Sequence, residues 1–252
     1  MKKKEILKRH NPIVIILVIS LAAGCSKDDP VDTTPPDSLP DVNSATFSNS
    51  TTITNPYYGP NAGQTYVYEV GEVGKAPEEE IRITRKNETK VVMGIECIIH
   101  RDVVYLNGIV IEDTDDWLAQ DDDGNLWYLG EFVINNKDNG SFSDNDGSWE
   151  AGVDGALPGY WFPANPVVGQ LYHQEWYAGE AEDYAQVVAT NETVIIGLGT
   201  YNNCIKTKDV NPMEPDEYEF KYYAPGVGQI KEELYENDKF TEVGELVEII
   251  EN

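Results

Sequence analysis

Residue types that most often mark chemistry are scarce: cysteine, histidine and methionine each occur three times in 252 residues. The sequence holds no Gly-x-Ser-x-Gly elbow, no His-Glu-x-x-His pair, no phosphate-binding glycine loop and no Rossmann glycine pattern. That excludes elbow-type serine hydrolases, helical zinc proteases and nucleotide-binding domains of the familiar kinds. A strand through Cys97 and His100 points the two side chains to opposite faces, which disfavours a Cys-His nucleophile. Positive charge is scarce as well, with 18 Lys and Arg against 45 Asp and Glu and a formal net charge of −27. A field of that sign repels nucleic acid and anionic lipid headgroups, so neither is expected as a partner. Long apolar runs are also missing. Ile13 to Ala23, broken by Ser20, is about 11 residues against the ~20 that cross a bilayer as a helix.

That short run follows a cluster of cations, Lys2, Lys3, Lys4, Lys8 and Arg9, and together they form a secretory signal peptide over residues 1–24. It leads into Leu21-Ala22-Ala23-Gly24-Cys25, which resembles the lipobox of bacterial lipoproteins, although Leu21 lies one place further from the cysteine than is usual and Ala22 fills its slot. The resemblance implies that Cys25 becomes the first mature residue and carries acyl chains. Several chains on one residue anchor firmly, at roughly 0.8 kcal/mol per buried CH₂. Ser26-Lys27-Asp28-Asp29 then resembles the export signal that sends lipoproteins of the Bacteroidota to the outer face of the outer membrane, with the periplasmic face as the alternative. Residues 25–44 are rich in proline and acid and almost free of large apolar side chains, so they read as a disordered tether. Fifteen extended residues at ~3.1 Å each hold the cargo up to about 45 Å from the lipid. Loss of residues 1–24 removes five cations and one acid and leaves a net charge of −31.

The cargo, residues 45–252, reads as all-β. Short segments rich in β-branched and aromatic residues, such as Gln64 to Val70, Glu80 to Thr84, Cys97 to Tyr105 and Gly108 to Glu112, are separated by turn signals such as Asn107-Gly108 and Asp123-Gly124. Four blocks recur in the same order. Asn55-Pro56 through Gln64-Thr65-Tyr66 returns as Asn165-Pro166 through Gln170-Leu171-Tyr172, and Asn87-Glu88-Thr89 returns as Asn191-Glu192-Thr193. Cys97-Ile98 to Asp102-Val103 returns as Cys204-Ile205 to Asp209-Val210. Trp117 to Glu131 parallels Phe220 to Glu233. The pattern predicts two antiparallel meanders, about 55–131 and 165–233, packed as a sandwich or as two half-barrels around a shared core, with an insertion at 132–164. The ending Tyr222-Tyr223-Ala224-Pro225-Gly226 to Glu233 also resembles a recurring ending in secreted bacterial β-proteins that look distantly like the half-barrels of lipoprotein carriers. That resemblance implies fold and carries no assigned chemistry.

Cys97 and Cys204 lie in an oxidising compartment if the protein is exported, and two thiols permit one disulfide; each also suits a small buried hydrophobe. The five tryptophans fall between Trp117 and Trp176. Trp127 and Trp176 read as buried, whereas Trp149, Trp161 and Tyr160 have glycine and acid around them and make an aromatic surface for a glycan. Glycan and envelope protein are the two expected partner types, besides the membrane reached through the lipid anchor. Asp121 and Asp123, and Asp144 and Asp146, offer hard oxygen ligands for Ca²⁺, without an EF-hand pattern; Asp-Gly pairs equally make hairpin turns. The sequence leans away from an enzyme. The alternative is a glycosidase-like hydrolase built on two carboxylates, with Glu150, Glu175, Glu180, Glu182 and Asp183 near the aromatics as its candidates.

Overall fold

Paired left-handed residues fold the chain back on itself in tight hairpins. Asn107 and Gly108 take φ of 51° and 80°, the geometry of a two-residue turn whose twist matches the flanking strands. They join β3 (Ile95–Leu106) to β4 (Ile109–Gln120). Met93 and Gly94 do the same between β2 (Glu79–Val92) and β3, with φ of 51° and 81°. The structure is a computed structural model that describes residues 35–36 and 38–252. The expected signal peptide, the expected lipidation site at Cys25, the expected export signal and most of the expected tether lie outside the described residues.

The remaining strands are β1 (Gln64–Glu72), β5 (Leu126–Asn136), β6 (Phe142–Asp144), β7 (Trp149–Glu150) and β8 (Leu157–Phe162), followed by β9 (Leu171–His173) and β10 (Glu175–Trp176). The last five are β11 (Tyr184–Ile196), β12 (Gly199–Val210), β13 (Glu217–Ala224), β14 (Gly228–Glu236) and β15 (Lys239–Glu251). All pairings are antiparallel, as the short period-two segments predict, and a short 3-10 turn over Val42–Ser44 is the one helical element among the described residues. The strands form one 15-stranded sheet in the order β10-β8-β5-β4-β3-β2-β1-β15-β14-β13-β12-β11-β9, with β6 and β7 added on β5.

Two wings are visible in that order, β5 to β1 and β14 to β11. They are not two facing sheets. β15 pairs with β1 on one side and with β14 on the other, so backbone hydrogen bonds run continuously from wing to wing. The end strands β9 and β10 are consecutive on the chain, separated by Gln174 alone. One stretch, residues 171–176, therefore borders both ends of the sheet. The recurring sequence blocks fall at like places: Asn87 to Val92 ends β2 and Asn191 to Ile196 ends β11, while Cys97 lies on β3 and Cys204 on β12.

The shared core of the sequence reading is replaced by two apolar clusters. The larger contains Ile98, Leu118, Leu126, Trp127, Leu129, Trp149 and Phe162; the smaller contains Tyr66, Val194, Ile196, Ile230 and Leu246. Cys97 belongs to the first and Cys204 to the second, both as free thiols. The permitted disulfide is thus corrected: each sulfur is enclosed by its own cluster, so each cysteine acts as a small hydrophobe.

The insertion at 132–164 extends the sheet, because β8 continues it beside β5. β7 packs so closely on β5 that a Cβ at Gly130 would lie 2.4 Å from the Trp149 carbonyl oxygen. Only glycine fits there, and its φ of 132° is one that other residues rarely adopt.

Candidate functional site

Period-two alternation places every second side chain of a strand on the inner surface of the curled sheet. The two wings and the 171–176 stretch together surround a chamber of about 330 Å³. β3 contributes His100 and Asp102, β4 contributes Glu112, Thr114 and Asp116, and β5 contributes Tyr128 and Glu131. From the other side come Lys221 and Tyr223 of β13 and Gln229 and Glu232 of β14, with Glu175 of β10 and Asp183 just before β11. Ile81, Ile83, Tyr68 and Trp161 supply apolar wall. Seven carboxyl side chains thus face one space, with Lys221 as the single cation among the lining residues.

The carboxyls settle their mutual repulsion by holding protons. Burial, opposed by the Tyr128 hydroxyl, pushes the Asp116 carboxyl up to about 7. Burial and then the neighbouring Asp116 push Glu131 up to about 9. The Tyr128 hydroxyl donates to Asp116 Oδ1 at 2.7 Å, and Asp116 and Glu131 are direct partners across the β4–β5 ladder. Glu232 is pushed up to about 7, by burial and then by Glu219. Asp102 is raised well above the usual carboxylate range, again by burial and then by Asp116. Glu175 and Asp183 form a coupled pair. Burial and the Asp183 charge raise Glu175 strongly, so Glu175 keeps the proton and hydrogen-bonds Asp183, whose own carboxyl rises to about 6 through burial.

Lys221 is neutralised differently. Its ammonium lies 3.0 Å from Glu219 and 3.5 Å from Asp209. Burial alone would lower its pKa, and those two carboxylates outweigh burial and hold it well above the ordinary value. His100, 3% exposed, is driven down to about 3 by burial and is neutral, with Nδ1 3.4 Å from the Tyr58 hydroxyl.

Two of the five sequence candidates for carboxylate chemistry meet in this chamber, Glu175 and Asp183. Glu150 is elsewhere, 2.9 Å from Lys90. Glu180 is exposed, and Glu182 accepts from the Gly179 backbone N–H. Sequence reasoning missed Asp102, Asp116, Glu131, Lys221 and Glu232. The available signal was alternation: these acids sit inside strands, where a charged side chain at an inward position has no turn to explain it.

The aromatic candidates separate. Trp161 lines the chamber and meets Tyr128 edge-on at 5.2 Å and His100 at 5.3 Å. Tyr160 packs edge-on to Trp127 at 4.6 Å. Trp149 is 4% exposed, so the expected exposed or rim position is corrected: it is a core residue against Tyr128. Trp127 is buried as expected, and Trp176 is half-buried beside His173.

The acid pairs considered for Ca²⁺ lie apart. Asp121 accepts from the Asn125 backbone and side chain and from the Trp127 indole N–H at 2.8 Å, so both its oxygens organise the β4–β5 turn. Asp144 accepts from Asn135 at 2.9 Å, and the strand between Leu126 and Asn135 sets the two pairs roughly 30 Å apart. Asp123 and Asp146 lie in the turns beside them. Among the described residues, no group of three or more His, Cys, Asp or Glu side chains is placed to hold a metal ion.

No protein-family model matches the chain, and no curated protein matches it. Two solved structures resemble it in shape. One, from Bacteroides fragilis, is described as a candidate exported protein with a YmcC-like fold; it is 14% identical, with a TM-score of 0.45, over 77% of this chain and 98% of that one. The other, described as a candidate lipoprotein from Parabacteroides distasonis, is 12% identical, with a TM-score of 0.44, over 78% of this chain and 99% of that one. Likeness at this level is descriptive and assigns neither family nor activity.

Proposed function

We propose that the chain is a lipid-anchored envelope protein, held through Cys25 at the outer face of the outer membrane, whose curled sheet encloses a binding chamber for a small polar ligand. The observation that carries the chamber is Glu175. Its carboxyl is 7% exposed and faces the chamber, and Oε2 has no hydrogen-bond partner. A buried acceptor left unmet costs about 1–3 kcal/mol, so a ligand that donates an N–H or O–H there recovers what folding gives up. Trp161 and Tyr68 supply aromatic lining for the carbon frame of such a ligand, which includes the sugar class.

Two experiments test the two halves of this reading. Equilibrium dialysis of the protein against a small-molecule extract of cell envelopes, read by mass spectrometry, is expected to enrich a compound on the wild type and not on Glu175→Leu. Equal enrichment on both removes the chamber. For the anchor, alkyne-palmitate is expected to label the wild type and not Cys25→Ser, and protease added to intact cells is expected to cleave the cargo; an unlabelled wild type or a protected cargo sinks the anchor or its outer-face placement.

A second reading rests on Asp116 and Glu131, which face each other across the ladder with unequal proton affinities, one near neutrality and one held as the acid. That is the division of labour a glycosidase needs between base or nucleophile and acid. Turnover of nitrophenyl glycosides that disappears in Glu131→Gln supports this reading, and an inert wild type against a broad panel removes it.

A further inference from the structure

Three regions remain once the anchor and the chamber's existence are set aside. The hairpin tips expose Val91, Met93, Ile195 and Leu198, but nothing on those tips specifies what covers them. The outer face of β13 to β15 carries stacked rings, Tyr218 on Tyr235 at 5.1 Å and Tyr235 on Phe240 at 5.4 Å; Lys206 and Lys208 already lie over Phe220 and Tyr218 at 3.8 Å. The third is the charge inside the chamber, and it specifies an occupant.

We infer that the chamber selects a cationic organic ligand, a small molecule bearing one or more protonated amines on a carbon frame, over neutral sugars and over metal ions. This inference rests on the chamber reading above and adds the sign of the ligand. Three carboxyl oxygens of chamber-lining residues are buried without a hydrogen-bond partner: Glu175 Oε2, Asp102 Oδ1 and Asp183 Oδ1. Each accepts and none has a donor. The polar neighbours that could have donated are committed elsewhere. Thr114 donates to Glu112, Gln174 to Asp209, Gln229 to Glu232 and Tyr128 to Asp116.

An ammonium group brings three donors and a full positive charge, and hydrogen bonds from an ionised donor are roughly twice as strong as neutral ones. A neutral polyol satisfies the oxygens but leaves the carboxyls, seven against one lysine, dependent on the protons they hold, whereas an ammonium lets them ionise beside it. A metal ion needs several oxygens converging within its first coordination sphere, about 2.0–2.6 Å for the hard divalent cations, and no such group of three exists among the described residues. An organic amine spans the wider spacing with its carbon chain. The walls suit that chain: Ile81 and Ile83 supply aliphatic lining, and Tyr68, Tyr223 and Trp161 supply aromatic lining, which accommodates a cation as well as carbon. The resident cation does not complete the job, because Lys221 is already engaged by Glu219 and Asp209 on its own side.

Calorimetric titration of the full chain with cadaverine, and in parallel with the diol of the same chain length, isolates the charge from the shape. Saturable one-to-one binding of cadaverine, with no measurable heat from the diol, is the expected result. Affinity is expected to fall at least about tenfold in Glu175→Gln and in Asp102→Asn, since each substitution removes a carboxyl that can give up its proton to answer the ammonium. Circular dichroism identifies any variant that fails to fold, and the other variant then carries the comparison. Cadaverine bound equally by wild type and both variants would place the amine on the acidic outer surface and overturn the inference. Binding of the diol or of N-acetylglucosamine in preference to cadaverine would overturn the cation while leaving the chamber a ligand site. No binding of any of the three, together with no enrichment in the dialysis, would remove both.

Discussion

The two wings of the sheet carry matching sequence blocks and differ in how they manage buried charge, although Glu232 of the second wing is pushed up to about 7 like the acids of the first. In the wing of β1 to β5, Asp116 and Glu131 meet a tyrosine hydroxyl and no cation, and they answer by holding protons, with pKa values pushed up to about 7 and about 9. In the wing of β11 to β14, Lys221 lies between Glu219 and Asp209 and the charges answer one another. At the position matched to Lys221 the first wing has Leu118, wholly buried in the larger apolar cluster. The difference teaches that a large apolar cluster and a buried cation are alternatives at the same place in the pattern. The wing that packs Trp127, Leu118 and Phe162 has no room to spare for an ammonium, and its inward acids go without one.

The largest way to break the comparison is to remove the packing that distinguishes the first wing. Trp127 is 1% exposed and its indole N–H bonds Asp121, so Trp127→Ala leaves a cavity and takes one of three donors from the Asp121 carboxylate. A loss of about 3–5 kcal/mol in denaturant unfolding is expected. Leu246→Ala in the smaller cluster is expected to cost about 2–4 kcal/mol, and an equal or larger loss there would mean that the clusters do not differ in the way their sizes imply.

Next is the cation itself. Lys221→Met keeps the stem and removes the ammonium, leaving Asp209 and Glu219 facing each other across the chamber wall. The Lys221 side chain is 24% exposed, so part of the interaction is screened; a loss of about 2–3 kcal/mol at neutral pH is expected, smaller at acid pH where the carboxylates protonate. Loss of less than about 0.5 kcal/mol would place Lys221 among ordinary surface pairs.

The proton-holding acids, Asp116 and Glu131 of the first wing and Glu232 of the second, make a milder, signed prediction. A carboxyl whose pKa is raised by folding binds its proton more tightly in the native state, so the native state holds more protons than the unfolded one between the two pKa values and stability falls as pH rises. With Asp116 and Glu232 at about 7 and Glu131 at about 9, unfolding midpoints in urea are expected to drop steadily from pH about 6.5 to about 9. His100 has the opposite sense: lowered by burial to about 3, its contribution is present above pH about 6.5 and is lost as pH falls below that, so it does not confuse this window. Glu131→Gln is expected to flatten the upper half of the drop, and a variant with the wild-type slope would remove Glu131 from the account.

How much of this the sequence disclosed depends on whether the signal was local. Strand type and hairpin turns were legible because they are written in adjacent residues: Asn107-Gly108 forms the turn its dipeptide predicts. Carboxyl convergence was not, because Asp102, Glu131, Glu175 and Glu232 come from four strands and meet only through sheet curl. Abundance hid them further, since an inward acid on a strand looks like any other among 45 acidic residues. Glu175 and Asp183 were singled out for their nearness to aromatics, and they reach the chamber for different reasons: Glu175 lies on the 171–176 stretch that borders both sheet ends, and Asp183 lies just before β11. Trp149 was misplaced because glycine and acid around it suggested exposure, while the close approach of β7 to Gly130 presses it inward.

The smallest expected effect concerns the matched cysteines, which report on the wings without perturbing them. Cys97 and Cys204 are each 0% exposed and lie in different clusters, and burial pushes the Cys97 thiol up to about 12. The reactive species is the thiolate, so neither sulfur is expected to react with iodoacetamide in the native protein, and a reductant is expected to leave the melting curve unmoved. In a Cys25→Ser background these two are the whole thiol content, and labelling then becomes a clock for opening. Because β15 joins the wings through β1 and β14, cooperative unfolding exposes both together and the two cysteines label at one urea concentration. Cys204 labelling at lower urea than Cys97 would show that the smaller cluster opens first, which would turn a difference in packing into a difference in order of unfolding.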